Sequence, residues 1–130
     1  MRALLALAVL ACGHPAPPPK SLQLDARDRM VDIETAVVAG YVTVVDFWSE
    51  SCAPCHVAGA KLVAGVADQA QILIRKVDVG DGLSAVARAY EIGALPHYRI
   101  YDRHRRLRYF LVGDDCLAAA ELARGLVAEP

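Results

Sequence analysis

Val42-Thr43-Val44-Val45-Asp46-Phe47-Trp48 runs through Ser49-Glu50-Ser51 into Cys52-Ala53-Pro54-Cys55-His56. The first seven residues are β-branched and aromatic, apolar on both alternating faces, as a central strand covered on both sides requires. Ser51 is placed to cap a helix running from Cys52 to about Gln69, with Cys55, Leu62, Val63 and Val66 as its inward stripe. Cysteines at this spacing can close a small disulfide ring. A helix N-terminus lowers the pKa of the first thiol, from near 8.5 to roughly 3.5–7.5 in such motifs, and the thiolate is the reactive species. The same letters also complete Cys-x-x-Cys-His, the pattern of covalent haem attachment.

Working outward, Ile72 to Val79 reads as a second strand, Gly80-Asp81-Gly82 as a turn and Leu83 to Glu91 as a short helix. Leu95-Pro96 interrupts the chain before an alternating strand, His97 to Tyr101. Asp102 to Arg105 turns, and Arg106 to Val112 returns as the other arm of a hairpin. Gly113 breaks it, Asp114 or Asp115 caps, and Cys116 to Val127 is a closing amphipathic helix. Upstream, Met30 to Ala39 carries apolar residues at helical spacing and ends at Gly40, while Ser21 to Ala26 is a candidate edge strand. This order predicts an α/β fold: a central mixed sheet with helices on both faces, the first strand–helix–strand crossover being parallel and right-handed.

The chain has 130 residues, enough for one domain with a real core and no second one. Its net charge of −1 gives no overall attraction to nucleic acid. The local exception is Asp102-Arg103-His104-Arg105-Arg106-Leu107-Arg108, read as a solvated hairpin tip, with a lipid-headgroup or acidic-partner contact as the other reading.

Met1-Arg2 followed by the apolar run Ala3 to Ala11 has the form of a targeting segment, too short to span a bilayer. Val9-Leu10-Ala11-Cys12 resembles the lipobox of bacterial lipoproteins, which implies lipidation at Cys12. Ordinary secretory cleavage nearby is the alternative. Gly13 to Lys20 holds four prolines and reads as an extended tether. The expected organisation is a signal peptide over 1–11, a lipid-anchored tether over 12–21 and one domain over 22–130, on the extracytoplasmic, periplasmic side of a membrane or secreted.

From Leu22 to Ala128 the residues resemble the thioredoxin family. The likeness rests on Val-Asp-Phe-Trp-Ser-Glu before the motif, Cys-Ala-Pro-Cys itself, Lys-Val-Asp-Val in the next strand, Tyr90-Glu91-Ile92, Leu95-Pro96, and Val112-Gly113 before the last helix. It implies a thioredoxin-like fold and a thiol–disulfide oxidoreductase acting on protein thiols and disulfides. Cys52 would be the attacking nucleophile, Cys55 the resolving cysteine, and Asp46 the buried carboxylate that relays a proton to or from Cys55. Pro96 would be the cis-proline beside the disulfide and, with Trp48, Ala53 and Pro54, would form the substrate face. Lys76 matches a lysine near the buried carboxylate.

Independently of the family, Asp46 ends a buried strand six residues before Cys52. A desolvated carboxylate there has a raised pKa and can exchange protons near neutrality. No cofactor is required, because the dithiol carries the electrons. A membrane-bound or soluble electron donor or acceptor is implied, and a monomer is expected.

Four positions depart from the family pattern. Ser51 stands in place of a tryptophan, Ala53 of a glycine, Ala60 of a helix-kinking proline, and His97 of a threonine. His56 and His97 are candidate modulators through positive potential beside Cys52, set against a simpler reading of both as solvent-edge residues.

Rival readings are a c-type haem protein on Cys52, Cys55 and His56, with Met30, His97 or His104 as sixth ligand, and a zinc or copper site on the two cysteines with His56 or His97. Zinc fits poorly, since only one Cys-x-x-Cys pair exists; copper carriage is the serious form. A redox-inactive interaction domain is disfavoured by the joint presence of both cysteines, Pro54 and Asp46. Cys116 is left over, read as a small half-buried residue.

Overall fold

The computed structural model describes residues 13–24, 29–80, 82 and 84–130. The expected signal segment and Cys12 lie outside the described residues, as do Asp81 and Leu83 of the predicted turn and helix. Among the described residues five strands form one mixed sheet in the order β1 (Ser21–Gln23), β3 (Ile72–Asp78), β2 (Val42–Trp48), β4 (His97–Tyr101), β5 (Leu107–Val112). The strands β1 and β2 run parallel to β3, and β4 runs antiparallel to both β2 and β5. The helices are α1 (Ala53–Gly65), α2 (Ala85–Ala89) and α3 (Ala119–Ala128).

The alternation of β2 divides the molecule into two cores. Val42 and Val44 face α1 and α3, meeting Leu62, Val66, Ile72, Ile74, Tyr98, Ile100, Ala123 and Leu126. Val45 and Phe47 face the other way, toward Val31, Ile33, Val37, Val86 and Ile92. Asp46 therefore falls on the α1 side, where the strand's rhythm would otherwise place another valine.

Several expectations are corrected. Met30 to Ala39 is not a helix: only Ile33–Ala36 forms a 3-10 turn, capped by the Asp32 carboxylate on Glu34 N–H, and Val37 is already extended. Val31, Ile33, Thr35, Val37 and Val38 are all β-branched, which weakens helix formation, and Val31, Ile33 and Val37 are held individually by the second core. The helix α1 is capped by Cys52 rather than Ser51, and it ends at Gly65, short of Gln69. Its buried stripe runs Cys55, Ala58, Leu62, Val66, whereas Val63 is 54% exposed. The second helix is shorter than predicted and is capped by Ser84 on Ala87 N–H. The closing helix begins as a 3-10 turn, Gly113–Ala118, and neither Asp114 nor Asp115 makes a side-chain cap.

The arginine-rich tip is only partly a solvated turn. Asp102 is buried and accepts from the backbone N–H groups of His104 and Arg106, from Arg106 Nε, and from Arg108 Nη1. Burial alone would raise its pKa, but these four donors hold it well below the usual carboxylate range. Arg108 also forks onto the Glu129 carboxylate at 2.7 and 3.2 Å, tying the hairpin to the end of α3.

Helices α1 and α3 meet through small residues. A Cβ built on Gly65 would lie 2.5 Å from Ala120 Cβ, closer than two carbons tolerate. Gly65→Ala is therefore expected to destabilise the fold by about 1–3 kcal/mol despite alanine's better helix propensity. A urea midpoint equal to or above that of the parent would contradict this packing.

Candidate functional site

The chain leaves the buried end of β2 through Ser49 and Ser51 and enters α1 at Cys52. Cys52 and Cys55 are joined in a disulfide with their Cα atoms 5.3 Å apart. The cap arrangement is part of the chemistry. Cys52 Sγ accepts from the Cys55 N–H at 3.2 Å, so the first sulfur sits on the donor end of the helix. Pro54 fits the first turn, where its missing N–H would in any case have no helical acceptor. Cys52 is partly exposed, while Cys55 is 2% exposed and faces into the molecule. The asymmetry separates an accessible sulfur from a protected one.

Beneath Cys55 lies a cavity of about 420 Å³, lined by Asp46, Trp48, Gly59, Ala60 and Lys76 among others. Asp46 is buried at its floor. A Cβ on Gly59, one turn beyond Cys55, would stand 3.8 Å from Asp46 Oδ2, which fixes the carboxylate under that stretch of α1. Burial raises the Asp46 pKa to about 7, against the pull of positive charge at Lys76 and His56. Among the described residues Asp46 Oδ1 has no hydrogen-bond partner.

In the sheet, Asp46 pairs in register with Lys76 of β3 and with Tyr98 of β4. Lys76 places its ammonium 4.2 Å above the Trp48 ring. Tyr98 is a site residue that sequence reasoning misses. Its hydroxyl is buried without a partner among the described residues, and burial together with the nearby Asp46 carboxylate raises its pKa. The signal available is its place two positions after Pro96 in an alternating strand opposite Asp46.

Pro96 follows a cis peptide bond from Leu95, and its carbonyl accepts from Gly113 N–H at 2.8 Å. Ala53 and Pro54 are exposed beside the disulfide, and Trp48 is half-buried. His56 is exposed at the start of α1: its Nε2 lies 2.8 Å from the Glu50 carbonyl, and its ring meets Trp48 edge-on at 5.9 Å. Helix α1 is continuous through Ala60.

His97 does not sit at a solvent edge. It is 2% exposed, with its ring 5.5 Å from Phe47 and 4.4 Å from Phe110, and Arg99 Nε approaches its Nε2 at 3.5 Å. Burial, and then the Arg99 charge, lower its pKa to about 4. It is neutral at pH 7 and contributes no positive potential to Cys52. Cys116 is fully rather than half buried, and burial pushes its thiol up to about 12. That keeps it in the inert thiol form.

Among the described residues no group of three or more His, Cys, Asp or Glu side chains is placed to hold a metal ion. His56 Nε2 is turned to the Glu50 carbonyl, and His97 is enclosed by the Phe47 and Phe110 rings.

The fold is shared with solved structures of low sequence identity. Mitochondrial thioredoxin 3 of Saccharomyces cerevisiae in its oxidised form superposes with a TM-score of 0.59 at 20% identity, covering 72% of this chain and 87% of that one. Oxidised thioredoxin of Plasmodium falciparum gives 0.58 at 23% identity, covering 74% and 90%.

By sequence, the mitochondrial thioredoxin of Bos taurus is 38% identical over 73 residues, 55% of this chain. Thioredoxin of Mycoplasma pneumoniae is 30% identical over 60 residues, 46% of this chain. The matches span 40% of the bovine protein and 58% of the Mycoplasma protein. A sequence model of the family described as Thioredoxin matches residues 31–117, well over half of the chain and inclusive of both cysteines, Asp46 and Pro96. The chain belongs to the thioredoxin family.

Proposed function

We propose that this chain is a thiol–disulfide oxidoreductase that exchanges disulfides with proteins outside the cytoplasm, anchored to a membrane through a lipidated Cys12. The observation that carries the redox reading is the disulfide itself: an accessible Cys52 on the helix N-terminus, joined to a buried Cys55 above a carboxyl group poised near pH 7.

In the reducing direction the Cys52 thiolate attacks one sulfur of a substrate disulfide. A Cys52–substrate disulfide forms, the substrate S–S bond breaks, and the departing sulfur takes a proton from solvent. Cys55 then gives its proton to Asp46 and attacks Cys52 Sγ. The mixed disulfide breaks, the second substrate sulfur leaves as a thiolate that takes a proton from solvent, and two electrons have passed from the dithiol to the substrate. Asp46 returns the proton when a donor, soluble or membrane-bound, reduces the Cys52–Cys55 pair again. The exposed surface of Ala53 and Pro54, with Trp48 and the backbone at Pro96, receives the substrate chain. The dithiol carries the electrons, so the reaction calls for no dissociable cofactor.

The location rests on the sequence of residues 1–20: a basic start, a short apolar run, Cys12 and a proline-rich tether. The redox reading is tested by equilibrating the protein in dithiothreitol or glutathione buffers and trapping the thiols by alkylation. Cys52 and Cys55 are expected to open and close together, with a tenfold change in the ratio for about 30 mV, as a two-electron couple requires. A pair that stayed open or closed across the accessible range would defeat the reading.

A further inference from the structure

The pole of the sheet opposite the disulfide carries a cluster of charge that the redox chemistry does not use. Strand β2 starts at this pole with Val42 and reaches the disulfide end at Trp48, so the two poles lie roughly 20 Å apart. Hydrogen bonds bring several segments to the Val42 end. Gly40 N–H donates to the Arg103 carbonyl at 2.8 Å, bringing in the β4–β5 turn. Val42 N–H donates to the Gln71 carbonyl at 2.9 Å, bringing in the segment after α1. The proline-rich segment arrives here as well: the Lys20 ammonium donates to the Val66 carbonyl at 2.7 Å and to the Gln69 carbonyl.

We propose that this pole, with Arg103 and Arg105 of the β4–β5 turn at its tip, docks on the anionic phospholipid headgroups of a bilayer and holds the disulfide pole away from it. The proposal rests on the membrane-anchoring reading for its setting.

The charge pairing is the first argument. Arg106 and Arg108 are balanced by Asp102 and Glu129, and Arg124 by Asp68. The acceptors of Lys20, Arg103 and Arg105 are instead neutral carbonyls: those of Val66 and Gln69, of Glu129, and of Glu34. Among the described residues no carboxylate pairs with Arg103 or Arg105, whereas Lys20 lies within the field of Asp68. A hydrogen-bonded, uncompensated cation attracts phosphate without having to break an ion pair first.

Connectivity is the second. Residues 13–20 span at most about 25 Å when extended, and they join the domain at this pole. An anchor upstream of Gly13 therefore keeps this pole within about 25 Å of the headgroups. The Cys52 face is then presented to soluble proteins.

The test uses the full chain carrying Cys12→Ser, which cannot be acylated, in co-sedimentation with vesicles. Binding is expected to be stronger to phosphatidylcholine vesicles containing phosphatidylglycerol than to phosphatidylcholine alone. Adding Arg103→Gln and Arg105→Gln should weaken the anionic-vesicle binding about fivefold per charge removed, roughly 25-fold together, and leave the neutral-vesicle binding unchanged. Insulin reduction by the triple variant should match that of Cys12→Ser alone, showing that the fold is intact.

Equal binding to both vesicle types, or no effect of the two arginine changes, overturns the proposal. So does displacement by millimolar inorganic phosphate, which would mark a single-anion pocket, or a preference for soluble polyglutamate over vesicles, which would mark a protein-binding face. Mass spectrometry of the parent chain for an acyl group on Cys12 judges the anchoring separately. Its failure removes the setting and leaves the vesicle result standing.

Discussion

Cys52→Ser is expected to abolish disulfide reduction in an insulin-turbidity assay, and Cys55→Ser to accumulate covalent complexes with substrate instead. The two sulfurs differ in what surrounds them. Cys52 is partly exposed and its Sγ receives the Cys55 N–H, so negative charge on that sulfur is stabilised where a substrate disulfide can reach it. A serine oxygen at this position, with a pKa far above that of a thiol, offers no comparable nucleophile at neutral pH, and turnover should fall below detection.

Cys55 is 2% exposed and can attack only a sulfur already joined to Cys52. Replacing it leaves the first step intact and removes the second, so the mixed disulfide persists. On non-reducing gels Cys55→Ser should show substrate adducts that dithiothreitol dissolves, and Cys52→Ser should show none. Adducts on Cys52→Ser with none on Cys55→Ser would reverse the assigned order of attack.

The strands that build the site are legible because their patterns have a single physical reading. β2 is apolar on both faces, and a strand buried on both faces at the centre of a sheet is the simplest way to satisfy it. The alternation also places Asp46, since an ionisable residue in a fully buried strand needs a reason to be there.

What the sequence conceals lies in choices decided by tertiary packing. Met30 to Ala39 carries apolar residues at helical spacing, yet its β-branched side chains are distributed one by one into the second core and the backbone follows them. Ser51 looks the better helix cap, but the disulfide holds Cys52 where its own sulfur meets the Cys55 N–H, and the cap moves by one residue.

His97 reads as a solvent-edge residue because nothing local announces that Phe47 and Phe110 close on it from β2 and β5. The turn from Asp102 to Arg105 is legible as a turn. The buried carboxylate organising it is hidden, because its four donors come from residues that are ordinary surface groups one at a time.

Asp46→Asn should make the oxidised protein more stable above pH 7 while slowing its second chemical step. The folded carboxyl has its pKa raised to about 7, against about 3.9 in the unfolded chain. A raised acid favours folding in its protonated form. That contribution is fully present below about pH 4 and is lost as pH rises through 7, where the buried group must ionise or the chain unfold. The rise from about 3.9 to about 7 corresponds to at most about 4 kcal/mol, and relaxation around the charge will reduce this.

The asparagine side chain cannot ionise, so the variant's advantage over the parent should be small at pH 4 and grow to a few kcal/mol by about pH 8. It would be read as a gap between the urea midpoints of Asp46→Asn and the parent that widens as pH rises from about 4 to about 8. Catalysis should move the other way. Without a carboxylate to take the Cys55 proton, release of the mixed disulfide should slow by roughly a hundredfold at neutral pH, the scale of a positioned general base. The rate should also lose its inflection near pH 7. Opposite signs for stability and rate from one substitution are what a buried acid kept for chemistry entails. A variant that gained no stability between pH 4 and 8, or that kept the parental inflection, would mean the proton goes elsewhere.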